Sequence, residues 1–378
     1  MKHSNRNWTV CKLKTAALLL AFALAPVFSL AAQQPARPYW FVLEEGKRNF
    51  SAGAYGEALL DFEDARNIRF AMYSRMEQDM IEVLSIGEVR RYRDNLNLVD
   101  QYVNEHGQYR AREALDELYY RVGRETLGGS VQRALDSFKA LKEYPEADFW
   151  IGETYRLEGE LAISEKQYRK ALQNRRLLES PGFAVEIQYH LANILKERRR
   201  FQDMEDCYAD ILKNDVLWQE SEKFVRQAMS RTLKTEGINR FLTMYRYKNP
   251  ATEKAHRNLG LYYLSSGRHN KALDHLMFAV LIQNSTIIEE QIRKQFDFSF
   301  VSLENLRNSL ERRKELKQYM NDVDYYQTLY SLAAASFANG EETAAHEIWR
   351  FLAAAPEAGE WSQRSKIRLT NPQIEDSF

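Results

Sequence analysis

The side chains that invite a chemical reading are few. His269 and His275 lie six residues apart, and the run HEIWR sets His346 beside Glu347. A helical zinc site of the protease kind needs two histidines four apart on one face, with a glutamate after the first as base. Arg350 stands where that second histidine belongs, and a six-residue step leaves His269 and His275 out of phase on a helix. Cys11 and Cys207 are too few for a thiolate zinc site. No G-x-S-x-G turn supplies a nucleophile elbow, and no G-x-x-x-x-G-K-[ST] loop cradles nucleotide phosphates. Gly128–Ser130 lacks the following lysine and reads as a hairpin turn. Carboxylate pairs such as Glu289–Glu290 are ordinary on a wet helix face. The reading assigns no catalytic, cofactor-binding or metal-ligating residue: a non-enzyme with no cofactor is expected.

The start of the chain has a different logic. Lys2, Arg6, Lys12 and Lys14 precede an apolar run interrupted by Pro26, and Ser29 and Ala31 suit the −3 and −1 positions of a cleavage site. A basic start, a short apolar middle and a small-residue exit read as a signal peptide over residues 1–31, with 32–38 as linker. The alternative is an uncleaved anchor, against which the run is short, since spanning takes about 20 apolar residues. Cys11 falls too early for a lipoprotein anchor. Export across an inner membrane to a periplasm is the expected destination, with no membrane span after cleavage. Cleavage changes the balance from 53 basic and 53 acidic residues to 49 against 53, or −4. A mildly acidic chain does not suit nucleic acid, and the basic run Lys196–Arg200 falls at a predicted turn. Cys207, then alone, forms no internal disulfide and reads as a small buried hydrophobe.

The 378 residues exceed one compact core, and the composition, poor in Gly and Pro, favours helices. The stretch NLGLYYLSSGRHNKALDHLMFAV (258–280) shows how they are arranged. In a frame of 34 positions starting at Glu253, Leu259, Gly260 and Tyr263 (positions 7, 8 and 11) share one helix face. Ala272, Leu276 and Ala279 (20, 24 and 27) share a second. Gly267, at 15, allows the chain to leave the first helix. Gly260 and Ala272 make room for close helix approach.

The frame recurs from Tyr39 (Gly46, Gly53, Ala58, Phe62, Ala65), Leu115 (Gly129, Ala134, Phe138, Leu141) and Pro145 (Gly152, Tyr155, Gly159, Tyr168, Ala171). It recurs again from Val185 (Ala192, Tyr208, Ile211), Gln219 (Val225, Leu242, Pro250) and Tyr326 (Ala333, Gly340, Ala345, Trp349, Leu352). The starts at 185, 219 and 253 are 34 apart, the period of a helix-turn-helix array. These small residues at 8, 20 and 27 and aromatics at 11 and 24 resemble the tetratricopeptide repeat family. Position 4 is never Trp and the frames at 185 and 219 lack the position-20 alanine, which departs from that family.

The resemblance implies an all-α fold: a right-handed superhelical solenoid of helix-turn-helix repeats. The expected domains are a solenoid over 39–284 with one degenerate hairpin near 76–114, a degenerate or long-helix insert over 285–325, a terminal repeat over 326–359, and a cap or tail over 360–378. It also implies that positions 2, 5, 9 and 12 line a concave groove: Glu146, Phe149, Glu153 and Arg156; Glu186, Tyr189, Asn193 and Lys196; Glu220, Lys223, Gln227 and Ser230; Lys254, Arg257, Leu261 and Leu264. Chaperone-binding members pair Lys at 5 with Asn at 9. Tyr189 precedes Asn193 and Gln227 follows Lys223, so that carboxylate clamp is not expected. The expected function is a protein- or peptide-binding scaffold in an envelope-associated assembly. Two alternatives stand beside it. Trp40, Trp150, Trp218 and Trp361 would stack on sugars in a carbohydrate-binding or cell-wall-processing protein. Leu303, Leu306 and Leu310, within 302–320, would join a helix partner in cis or in a homo-oligomer.

Overall fold

The computed structural model describes residues 37–85 and 139–373. Among them the chain is helical and contains no strand. Residues 1–31, nearly all of the hairpin expected near 76–114, and the frame from Leu115 as far as Phe138 lie outside the described residues. Two compact units are divided after Glu143.

In the first unit, α1 (Tyr39–Ser51) and α2 (Tyr55–Ser85) form a hairpin. Arg69 is fully buried on α2, with its guanidinium 5.3 Å from the Tyr39 ring centre and 5.4 Å from that of Tyr73. Its Nε donates to the Leu141 carbonyl at 2.9 Å, joining α2 to a segment far along the chain.

In the second unit, α3 (Pro145–Leu157) pairs with α4 (Leu161–Gln173), and α5 (Phe183–Glu197) with α6 (Phe201–Leu212). After α7 (Lys223–Met244), α8 (Pro250–Ser265) pairs with α9 (His269–Lys294). Two short helices follow, α10 (Leu303–Ser309) and α11 (Lys314–Asp322). The last pair is α12 (Tyr325–Ala338) with α13 (Glu342–Ala353), and α14 (Glu360–Thr370) packs on α13. Pro145 and Pro250 open their helices at the first position, where a missing N–H costs nothing.

The hairpins share one local design. Gly53, Gly159, Arg199, Gly267 and Gly340 occupy position 15, each with φ between 57° and 84°. The next residue's N–H then reaches back to the carbonyl five residues before it, as in Glu160 to Tyr155 (2.9 Å) and Arg268 to Tyr263 (2.8 Å), which satisfies the helix end. Closer to the helix centres, position 8 faces position 24. A Cβ on Gly46 would lie 2.6 Å from the Phe62 ring, one on Gly152 2.7 Å from Tyr168, and one on Gly260 2.6 Å from Leu276 Cγ. Ala192 and Ala333 take the same place in the pairs ending in Tyr208 and Trp349, and all of these larger side chains are buried.

One expectation is corrected, and two that held alternatives are narrowed. The frame from Gln219 does not make a hairpin of the shared design. Leu233, at its position 15, is buried within a helix, and the chain bends four residues later at Gly237 (φ 80°, ψ −179°). α6 therefore packs directly against α8, while α7 packs on α13. Glu347 Oε2 accepts from the Ile238 N–H at 2.9 Å, capping the helix that restarts after the bend. The insert over 285–325 is not a single long helix: α9 runs on to Lys294, and two short helices follow. Leu303, Leu306 and Leu310 are each 2% exposed in the chain's own core, so of the helix partner expected in cis or in a homo-oligomer the stripe meets the one in cis.

Gly260→Ala is expected to lower stability by roughly 1–2 kcal/mol, because overpacking exceeds the helix-propensity gain of about 1 kcal/mol. Arg199→Gly is expected to raise it by about 0.5–1 kcal/mol by removing left-handed strain at a side chain. Urea midpoints check both signs.

Candidate functional site

The residues expected to line a groove take three kinds of position. Phe149, Glu153 and Tyr189 are buried. The Phe149 ring packs on Phe183 at 4.8 Å, His190 at 5.2 Å and Tyr168 at 5.7 Å. Glu153 receives hydrogen bonds from Tyr168 Oη and from Arg156 at 2.9 Å, and lies 2.6 Å from His190 Nδ1. Burial by itself raises this carboxyl; the contacts with His190, Arg156 and Tyr168 outweigh it and hold the group down to about 2. Tyr189 Oη donates to the Ala251 carbonyl at 2.8 Å and accepts from the Ala255 N–H at 3.0 Å, stitching α5 to α8. Arg257 pairs with Asp324, and Leu261 is half-buried.

Asn193, Lys196, Lys223, Gln227 and Lys254 are exposed. Lys254 Nζ sits 5.1 Å from the Tyr189 ring, and Lys223 pairs locally with Glu220 at 3.2 Å. Thus Phe149, Glu153 and Arg156 come together, as do Tyr189 and Lys254, but as seams between hairpins. Lys223 and Gln227 sit on α7, outside the α5–α8 seam.

The tryptophans considered for sugar stacking differ too. Trp40 is exposed, Trp150 packs edge-on to Phe149, and Trp361 lies on Tyr330 with Arg364 over its ring. Cys207 is buried, with its thiol pushed up to about 12 by that burial and its Sγ 3.3 Å from the Gln188 carbonyl.

A different cluster is more concentrated. Asp215 is fully buried in the segment after α6. It accepts from Tyr247 Oη (2.7 Å), Thr252 Oγ1 (2.7 Å), Asn249 Nδ2 (3.3 Å) and the Leu217 N–H (3.1 Å). Burial raises its pKa, but the nearby His256 and the hydrogen bonds from Tyr247 and Thr252 outweigh that and hold it at about 2, so the carboxylate is ionised. His256 Nε2 lies 3.5 Å from Asp215 Oδ2, long for a hydrogen bond yet within the carboxylate's field. His256 Nδ1 and His275 Nδ1 are 3.0 Å apart. Trp218 covers the pair, its ring 4.4 Å from His275 and 4.8 Å from His256, and Phe278 stacks on His256 at 5.1 Å.

His275 belongs to the wall of an open cleft of about 620 Å³. α6 supplies Gln202, Glu205, Asp206 and Leu212; the following segment supplies Trp218 and Gln219; α8 supplies Leu259 and Tyr263; α9 adds Lys271 and Asp274. Glu205 holds Tyr263 Oη and Arg268, both at 2.8 Å, tying the α8–α9 turn to α6. Among the described residues no group of His, Cys, Asp and Glu has the arrangement to hold a metal ion.

Sequence reasoning passed over Asp215 and His256 and dismissed His275 by its spacing from His269. One signal was present: His256 is four residues before Gly260 and shares its contact face, where an ionisable ring needs a partner.

No family model matches the chain. It is 22% identical over 334 residues to an uncharacterized protein of Treponema pallidum (strain Nichols), covering 88% of this chain and 89% of the relative. A second uncharacterized protein, from Borreliella burgdorferi (strain ATCC 35210 / DSM 4680 / CIP 102532 / B31), is 20% identical over 252 residues, covering 60% and 78%. Among solved structures, BtubC (BKLC) from P. vanneervenii aligns over 83% of this chain and 97% of its own with a TM-score of 0.31 and 15% identity.

Burial lowers the pKa of both imidazoles. The nearby Asp215 partly offsets this for His256, whereas His256 and Lys271 deepen it for His275. The unfolded chain therefore takes up protons below the ordinary imidazole value of 6.5 while the folded chain resists them, and stability falls as pH drops through that value. The depressed carboxylates Asp215 and Glu153 add a further loss below about pH 4. Burial raises the Glu341 carboxyl to about 7, which favours the folded chain as pH drops and opposes the imidazoles. The informative quantity is therefore the difference between chains: from about pH 7.5 to about pH 5 the urea midpoint of His275→Gln is expected to fall less than that of the parent chain. An equal pH response in the two would contradict the burial of a neutral His275.

Proposed function

We propose that the chain is an exported, non-catalytic scaffold of the tetratricopeptide-repeat type, its hairpins stacked as a right-handed superhelical solenoid. It takes a segment of a partner polypeptide into the cleft beside Trp218, Tyr263 and His275. The single observation that carries this reading is the cleft itself: two aromatic rings, apolar Leu212 and Leu259, and exposed polar groups line one open recess between the α5–α6 and α8–α9 hairpins. Recesses of a few hundred Å³ with a mixed apolar and polar lining suit a short peptide stretch. Helical arrays characteristically bind through such extended surfaces. Export to a periplasm rests on the basic, apolar and small-residue succession over 1–31.

This places the partner away from the groove inferred by resemblance, because neighbouring hairpins cover Phe149, Glu153 and Tyr189. A photo-crosslinking residue at Gln219, exposed on the cleft wall, is expected to capture one polypeptide species in the source cells. The same residue at Asn193, exposed on α5, is expected to capture little of it. Adducts from Asn193 alone would return the binding face to the inferred groove. The absence of adducts from both positions would overturn the scaffold reading.

A further inference from the structure

We infer that the cleft is a recognition site for a cationic side chain, a guanidinium or ammonium of the bound polypeptide, seated between Asp206 and Asp274 with the free nitrogen of His275 as acceptor. This deepens the peptide-binding reading and rests on it for the source of the cation.

The buried chain of rings sets the tautomers. Because Asp215 is ionised, its field favours the proton of His256 on Nε2, the nitrogen 3.5 Å away. His256 Nδ1 then carries a lone pair. The 3.0 Å contact between the two Nδ1 atoms needs one proton, so His275 Nδ1 donates it. A neutral His275 is left with an unprotonated Nε2, the one ring nitrogen available to the cleft that this residue lines. His275 is 6% exposed, and among the described residues its hydrogen-bond contact is the one through Nδ1. An acceptor on the wall of a cleft takes its donor from water or from a ligand.

The surrounding charges select the kind of donor. Glu205 is engaged by Arg268 and Tyr263, and Glu220 by Lys223, so these carboxylates are largely compensated. Asp206 is exposed, and among the described residues only the uncharged Gln202 amide donates to it, at 3.1 Å; Asp274 lies on the same cleft, where burial raises its carboxyl and Arg226 lowers it. Of the cleft's cations, Lys213 pairs with Asp210 at 2.5 Å. Lys271, its Nζ 5.2 Å from the Tyr263 ring, and Arg226, its guanidinium 5.4 Å from the Trp218 ring and attractive to the Asp274 carboxylate, are the opposing charges. Two carboxylates and a ring lone pair beside an aromatic wall accept the N–H donors of a cation.

The test titrates the full chain with three capped pentapeptides, Ala-Ala-X-Ala-Ala, where X is arginine, the neutral isostere citrulline, or glutamate. Affinity is read by calorimetry at about pH 7.5, and the His275 ring by nitrogen NMR. The arginine peptide is expected to bind at least tenfold tighter than the citrulline peptide and to shift the His275 Nε2 resonance. The Asp206→Asn/Asp274→Asn double variant, altered only at exposed positions, is expected to lose that preference, and Lys271→Ala to bind more tightly. Equal binding of all three peptides would overturn the cation site and leave the peptide-binding reading standing. No binding of the arginine peptide, or an unchanged preference in the double variant, would overturn it outright. Arginine binding without any crosslink from Gln219 would instead keep the cation site and remove the polypeptide partner.

Discussion

Where two antiparallel helices of this chain meet, a glycine or alanine on the first faces a large side chain sixteen residues later on the second. Gly46 meets Phe62, Gly152 meets Tyr168, and Gly260 meets Leu276 at distances that leave no room for a methyl group. Close approach there puts the neighbouring apolar positions of both helices in contact and out of water. The turn that permits it is equally restrictive, because the residue at its centre is left-handed, and four of the five such residues are glycine. Interiors are packed too densely for one extra methyl to be absorbed without movement, so each hairpin behaves as a unit with a fixed separation.

Between hairpins the connections are more polar. Glu153 reaches His190, Glu165 reaches Arg198 and Arg200, Glu205 reaches Arg268, and Tyr189 bonds the backbone of α8. A carboxylate taken out of water needs such partners, and Glu153 has them in His190, Arg156 and Tyr168. These contacts add directional conditions to an otherwise apolar stack. They also occupy the positions that a resemblance to tetratricopeptide repeats would leave open to a ligand. Asp215 extends the same principle, gathering the segment after α6 and the start of α8 around one buried charge, and its ordering influence reaches the cleft through His256.

α7 departs from the series. Phe224 is 83% exposed near its start, while its later turns pack against α13. The bend at Gly237 depends on Glu347, over a hundred residues away, to cap the restarted helix. This contact between distant elements is foreign to a strict nearest-neighbour array. It leaves α6 and α8 in direct contact, so the cleft lies between hairpins that are not consecutive in a 34-residue count.

The sequence by itself determined the hairpins. The spacing of Gly260, Gly267, Ala272 and Leu276 acts within one helix pair, where the helical repeat alone settles which residues face each other. The same holds for the pairs containing Gly46, Gly152 and Ala333. The frame failed at Gln219 because Leu233 stands where a left-handed residue is needed and Gly237 comes four positions late. Arg199 shows the converse, a turn kept by packing where no glycine marks it. Only the tertiary structure decided which hairpins touch, where the leucines of 302–320 are buried, and that Asp215, His256 and His275 meet beside Trp218. Those neighbours depend on the accumulated crossing angles of several helices and on contacts between distant residues. Neither quantity is a function of local spacing.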